Sequence, residues 1–190
     1  MPRWNVETEA KIPRTVEALV ECIAPLIHLS QQILLVDPHF TPDTARYQVA
    51  LEHFLAAALA GGRRYCRLEY HTKVGVKDGS SESDRRDWIT RFGKDCQQRI
   101  PRHVPKDVPL RIMLWEVKPG GDEMHDRYVM TERGAIRIVK GLDLGEPGQT
   151  TDVSLLPPLV YRGRWNDFQP GTGSSRRLTS WERIELEAEK

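Results

Sequence analysis

Apolar positions near the start of the chain change period twice. Over 14–29, Val16, Leu19, Val20, Ile23, Leu26 and Ile27 recur at helical spacing, which predicts a helix that Pro25 kinks or ends. Gln32 to Val36 is then a near-continuous apolar run stopped by Asp37-Pro38, the pattern of a strand buried on both faces. Thr41-Pro42-Asp43-Thr44 opens a second helix that runs to Ala60, and Gly61-Gly62 closes it. Tyr65 to Tyr70 reads as a second strand, and Gly75 to Ser83 as a polar loop. Residues 84–100 form a helix that buries Trp88, Ile89 and Phe92. After a Pro-broken connection from Pro101 to Pro109, Leu110 to Val117 is a third strand.

This alternation predicts an α/β fold with a mixed, largely parallel sheet flanked by helices. The mixing comes from two adjoining strands, about 126–131 and 135–140. Glu132-Arg133-Gly134 is so short a link that these must pair antiparallel. Val153 to Leu156 adds an edge strand, ended by Pro157-Pro158. Gly171 to Ser175 is a flexible break, and the charged residues 181–190 read as a short helix or a frayed end. The expected division is a helical extension over 1–30, an α/β domain over 31–170 and a polar tail over 171–190. No internal repeat is present.

Composition narrows the setting without naming a ligand. A chain of 190 residues can bury a core without disulfide or metal staples. Its 28 basic and 27 acidic residues nearly cancel, so any basic surface is local. Cys22, Cys66 and Cys96 are odd in number and lack metal spacing, which points to reduced thiols. The start is polar, and no apolar run approaches membrane-spanning length. A cytoplasmic protein without a cofactor is the expectation.

Chemistry concentrates in one stretch. His125, Arg127 and Glu132 stand on a strand and the turn after it, with His125 and Arg127 on one face and Asp126 and Tyr128 on the other. Imidazole can attack or protonate at phosphorus, and guanidinium can grip its oxygens in a bidentate way. Glu132 could orient the imidazole or balance the cation. These are parts of a metal-independent phosphodiesterase; a salt-bridged strand end needs the same residues. Asp37 and His39 follow the first strand, and His71 and Lys73 the second. With Asp143 they are candidates to line one pocket mouth beyond the strand ends. Arg162, Arg164, Trp165, Arg176 and Arg177 are candidates for a phosphate-binding surface, with ordinary surface charge as the alternative. Glu123, His125 and Asp126 alternate across a strand and cannot converge on a metal ion. No Gly-rich phosphate loop is present.

His125-x-Arg127-x-x-x-x-Glu132 resembles the His-x-Lys-x-x-x-x-Asp signature of the phospholipase D superfamily. Val36-Asp37-Pro38-His39-Phe40, His125-Asp126-Arg127 and Gly141-Leu142-Asp143, in that order, resemble the phospholipase-D-like domain at the C-terminus of MIT-domain proteins. The likeness covers about residues 30–170, one half of the two-motif fold, without the MIT bundle. It implies a site built on His125 and Arg127, and a homodimer that supplies the second histidine. Arg127 and Glu132 replace the family's lysine and aspartate. Gly141-Leu142-Asp143-Leu144 stands where active members have Gly-Ser-x-Asn. Two readings follow. One is a nuclease acting through a histidine–phosphate intermediate. The other is a degenerate module that binds nucleic acid, acidic phospholipid or a protein partner.

Overall fold

The structure, a computed structural model, describes residues 8–62, 64–77, 79–106, 108–117, 124–169 and 178–188. The strands are β1 (Glu9–Pro13), β2 (Gln32–Val36), β3 (Arg67–Lys73), β4 (Leu110–Val117), β5 (Tyr128–Thr131), β6 (Gly134–Ile138), β7 (Thr150–Leu155) and β8 (Leu178–Leu186). The α-helices are α1 (Val16–His28), α2 (Ala45–Ala60), α3 (Glu82–Arg99) and α4 (Pro158–Asp167). All strands join one sheet in the order β1-β7-β6-β5-β2-β3-β4-β8.

The α/β class is as expected, but the sheet is not largely parallel. Only β2–β3 and β3–β4 pair in parallel among the described residues. The other pairings are antiparallel. Parallel neighbours need a helical crossover, which α2 and α3 supply; β5 and β6 are joined by the short Glu132-Arg133 turn, which reverses direction.

Alternation along the strands separates two cores. Ile33, Leu35, Leu68, Tyr70, Ile112, Leu114 and Val129 face α1, α2 and α3, whose Ile23, Leu51, Phe54, Ile89 and Phe92 fill that side. Leu34, Val36, Met130, Tyr128 and Trp115 face the other way, toward Tyr161 and Trp165 of α4 and Phe168 just after it.

Several elements depart from their sequence reading. Pro25 neither ends nor divides α1, which runs on to His28; the ring is exposed, where its missing N–H costs a single ladder bond. Ser81 and Asp84 form a capping box that starts α3 at Glu82. β7 is internal rather than an edge, because β1 adds outside it. Pro157-Pro158 does not merely end a strand; proline at a helix start needs no N–H, and α4 begins there. Residues read as an N-terminal extension and a polar tail instead supply β1, α1 and β8, and β8 pairs along β4.

Ile23 of α1 is fully buried in the larger core. Ile23→Ala is therefore expected to destabilise the whole molecule by about 2–5 kcal/mol. In urea, a single cooperative transition shifting to lower denaturant checks this; a detachable helix would leave the main transition in place.

Candidate functional site

The chain leaves β2 and β6, and enters β5 and β7, at one end of the sheet. Three connections therefore meet there. Asp37, just past β2, is completely buried. Its Oδ1 accepts the N–H of His39 and its Oδ2 the N–H of Leu142, each at 2.9 Å. Arg127, just before β5, aims its Nε at Oδ1 of Asp37 from 3.9 Å, and its Nη1 donates to the Val139 carbonyl at 3.4 Å. That buried Nε–H lacks a hydrogen bond. Burial pushes the Asp37 carboxyl above its ordinary range, against the two backbone N–H groups and the Arg127 charge; the charge of Asp143 adds to the rise.

Asp143 forms the second half of the cluster. It is 3% exposed. Arg14 donates to its Oδ1 at 2.6 Å, and Arg46 in the first turn of α2 pairs with its Oδ2 at 2.9 Å. Gly141 turns the chain between the two carboxylates with φ +123°. A Cβ there would sit 2.5 Å from Oδ1 of Asp143 and 3.3 Å from Oδ2 of Asp37, so only glycine fits.

Asp37, Arg127 and Asp143 thus come together, though they are far apart in sequence. His39 contributes its N–H while its side chain is exposed. His125 is exposed in the connection that leads into β5 at this same end. Glu132 does not join them. It lies at the far end of β5, about 16 Å along the strand from Arg127, and accepts the N–H groups of Gln31 and Gln32 at 2.9 and 3.0 Å. It caps the start of β2 and cannot orient His125.

His71 and Lys73 are also absent from the pocket mouth, because β3 runs on to Lys73 and both lie within it. His71 is fully buried and faces α4, not Asp37. The expected phosphate-binding surface does not assemble either. Arg164 pairs with Asp126 and Asp167, and Trp165 lies beneath the Arg67 guanidinium. Arg162 is exposed. Arg176, Arg177 and Glu123 lie outside the described residues.

Sequence reasoning missed Arg14 and Arg46, whose partner Asp143 is remote in the chain and leaves no local signal. It also missed a polar relay on the α4 face. Arg67 and His71 both bind Oε2 of Glu69, at 2.7 and 3.0 Å, and the Trp115 indole N–H donates to Nδ1 of His71 at 2.9 Å. The alternation Arg67-x-Glu69-x-His71 was the available sign. Burial opposes ionisation of Glu69, but the bonds and charges of His71 and Arg67 hold its carboxyl at about 2.

Among the described residues, no three of His, Cys, Asp and Glu gather as metal ligands, and no helix is long and apolar enough to cross a membrane. No family model and no curated protein matches the chain. Among solved structures it is similar to TrmBL2, an archaeal chromatin protein whose structure shows a novel mode of DNA binding, with a TM-score of 0.38 and 13% identity. The match covers 87% of this chain and 52% of that one, so the chain spans about half of that protein's length. A likeness so slight carries neither fold nor function across.

Gly141→Ala is expected to cost about 1–3 kcal/mol through the forced positive φ and the clash with Asp143, read as a lower denaturation midpoint. The depressed Glu69 carboxyl gives a second expectation. A group held at about 2 adds stability that is complete above its unfolded value and fades as pH falls toward 2. Midpoints measured from about pH 7 to pH 2.5 should fall in acid, and Glu69→Gln should be weaker at neutral pH and less pH-dependent below about pH 5.

Proposed function

We propose that this chain is a phospholipase-D-like module that binds nucleic-acid phosphodiesters at the Asp37–Arg127–Asp143 end of the sheet and does not cleave them. One observation carries this reading. The three segments on which the resemblance rests meet at one place, and the guanidinium groups found there, Arg127 of those segments with Arg14 and Arg46, are already opposed by two buried carboxylates. Arg127 is held by Asp37 and the Val139 carbonyl, so it is not poised to follow a phosphoryl group through a reaction. Leu142 and Leu144 stand where the resemblance implies a hydroxyl and an amide, and Asp143 between them adds negative charge. Glu132 stands too far away to serve the imidazole.

Within the ion-pair cluster itself, positive charge still exceeds negative. Arg14, Arg46 and Arg127 face two carboxylates, and Arg46 and Lys140 are exposed. Such a rim suits shallow, salt-sensitive contact with a phosphate backbone. The second reading is a homodimeric nuclease in which His125 attacks and His125 of the partner subunit protonates the leaving group. The exposure of His125 at this end favours it.

Purified protein and a His125→Ala variant, incubated with single- and double-stranded DNA and RNA in EDTA, separate the two. The expected outcome is no cleavage, with binding that weakens steeply in salt and survives in the variant. An Arg46→Ala, Lys140→Ala double variant should flatten the salt slope by about one to two. Metal-independent cleavage that disappears in His125→Ala would establish the nuclease instead. Binding confined to acidic phospholipid vesicles would remove nucleic acid as the ligand.

A further inference from the structure

Arg67, Glu69 and His71 alternate along β3 and share the face beneath α4. Glu69 is 5% exposed and His71 not at all. Groups this deep must be hydrogen-bonded to persist, and here each bond leads to the next. The Trp115 indole can only donate, so Nδ1 of His71 accepts and the imidazole proton sits on Nε2. Nε2 donates to Glu69, which also holds Arg67. Arg67 directs its other contacts at the end of α4: the Phe168 carbonyl at 3.1 Å, Oε1 of Gln169 at 2.6 Å and the Trp165 ring 5.8 Å away. The Phe168 ring lies edge-on to both His71 and Trp115.

Little else fastens α4. The helix has ten residues, no side-chain bond at its N-cap and no buried residue. Leu159 is 78% exposed. A helix so short does not persist without docking. Tyr161 donates to the Thr131 carbonyl, and Arg164 pairs with Asp126 at 3.8 Å. The relay is the buried polar part of the attachment, beside the packing of Tyr161, Trp165 and Phe168 on the smaller core.

We propose that the Arg67–Glu69–His71–Trp115 relay is an acid-released latch for α4. A proton taken from solvent onto Nδ1 of His71 turns that nitrogen into a donor facing the Trp115 N–H. Glu69 would attract the imidazolium, but the opposed donors force the indole aside, and Phe168 and the end of α4 move with it. The charged groups on the His71 face in the described structure are Arg67, Glu69 and Lys73 of its own strand and Arg111 of β4, and of these Glu69 and Arg67 act on the imidazole. Trp115 of β4 and Phe168 after α4 bring no charge, and neither does neighbouring Val36 of β2. Burial holds the imidazole below its ordinary value, against the hydrogen bond and charge of Glu69, and Arg67 lowers it further. A folded value below the unfolded one means that stability is lost as pH falls from about 6.5. Glu69, held at about 2, stays ionised through that window. Release uncovers the apolar strip of Leu34, Val36 and Met130.

Hydrogen exchange of the intact protein tests the latch, corrected for the intrinsic pH dependence of exchange. Protection across 158–169 should fall by up to about tenfold between about pH 7.5 and pH 5.5, with β2 and β4 unchanged. His71→Gln offers the same acceptor and donor but cannot be protonated, so its α4 should stay protected. Unchanged protection in the wild type, or the same fall in the variant, overturns the proposal. Should the variant not fold, nitrogen NMR of the wild-type imidazole decides. Proton uptake at Nδ1 must coincide with a shift of the Trp115 indole N–H and with loss of α4 protection; either change without the other overturns the latch.

Discussion

The two hydrogen bonds accepted by the buried Asp37 carboxylate tie together the end of the molecule that carries the candidate site. One closes the turn after β2, and the other reaches the backbone of Leu142, just past β6. β2 and β6 are not neighbours, since β5 lies between them. The carboxylate therefore bridges across a strand and fixes how the loops at that end sit. A buried anion is costly without compensation. Two N–H donors and a nearby guanidinium supply that compensation, and together they bring His39, Arg127 and Gly141 to one place.

This constraint limits the chemistry the site can do. Cations that grip a reacting phosphate must be free to meet charge as it develops. Here Arg127 faces Asp37, while Arg14 and Arg46 face Asp143. The same charges that stabilise the loops lower the field available to a substrate. Under the proposed function a phosphate backbone meets only the rim, where screening makes each contact weak and additive rather than specific.

What could be read from the chain follows where each signal resides. The β2 run is apolar on both faces and the β4 run nearly so, Arg111 apart, so Ile33 to Val36 and Leu110 to Trp115 announced buried strands without tertiary help. Gly61-Gly62 and Thr44 bounded α2 by local chemistry. β8 was hidden because Arg183-Ile184-Glu185-Leu186 alternates correctly but carries the charge density of a tail. The end of β3 was misplaced because His71 and Lys73 look like loop residues until their partners are known. Tertiary partners override such local preference. In the site, Asp37, Arg127 and Asp143 were legible as motifs. The pairing of Arg14 with Asp143 across most of the chain was not, and neither was the separation of Glu132 from His125 by the length of β5.

The sheet also keeps its two polar systems apart. Asp37 and Arg127 lie with the three-helix side, and Glu69 and His71 lie on the α4 side of the neighbouring strand. Val36 and His71 are register partners, so Asp37 and His71 lie on neighbouring strands offset by about one residue's rise. Alternation nonetheless turns their side chains to opposite faces. The Asp37 backbone N–H donates to the His71 carbonyl at 3.0 Å, a direct main-chain link between the two systems. A proton on His71 and a phosphate at Arg127 would therefore act on opposite faces of one hydrogen-bonded pair of strands. Any coupling between them must pass through that backbone link rather than through contact of charged groups.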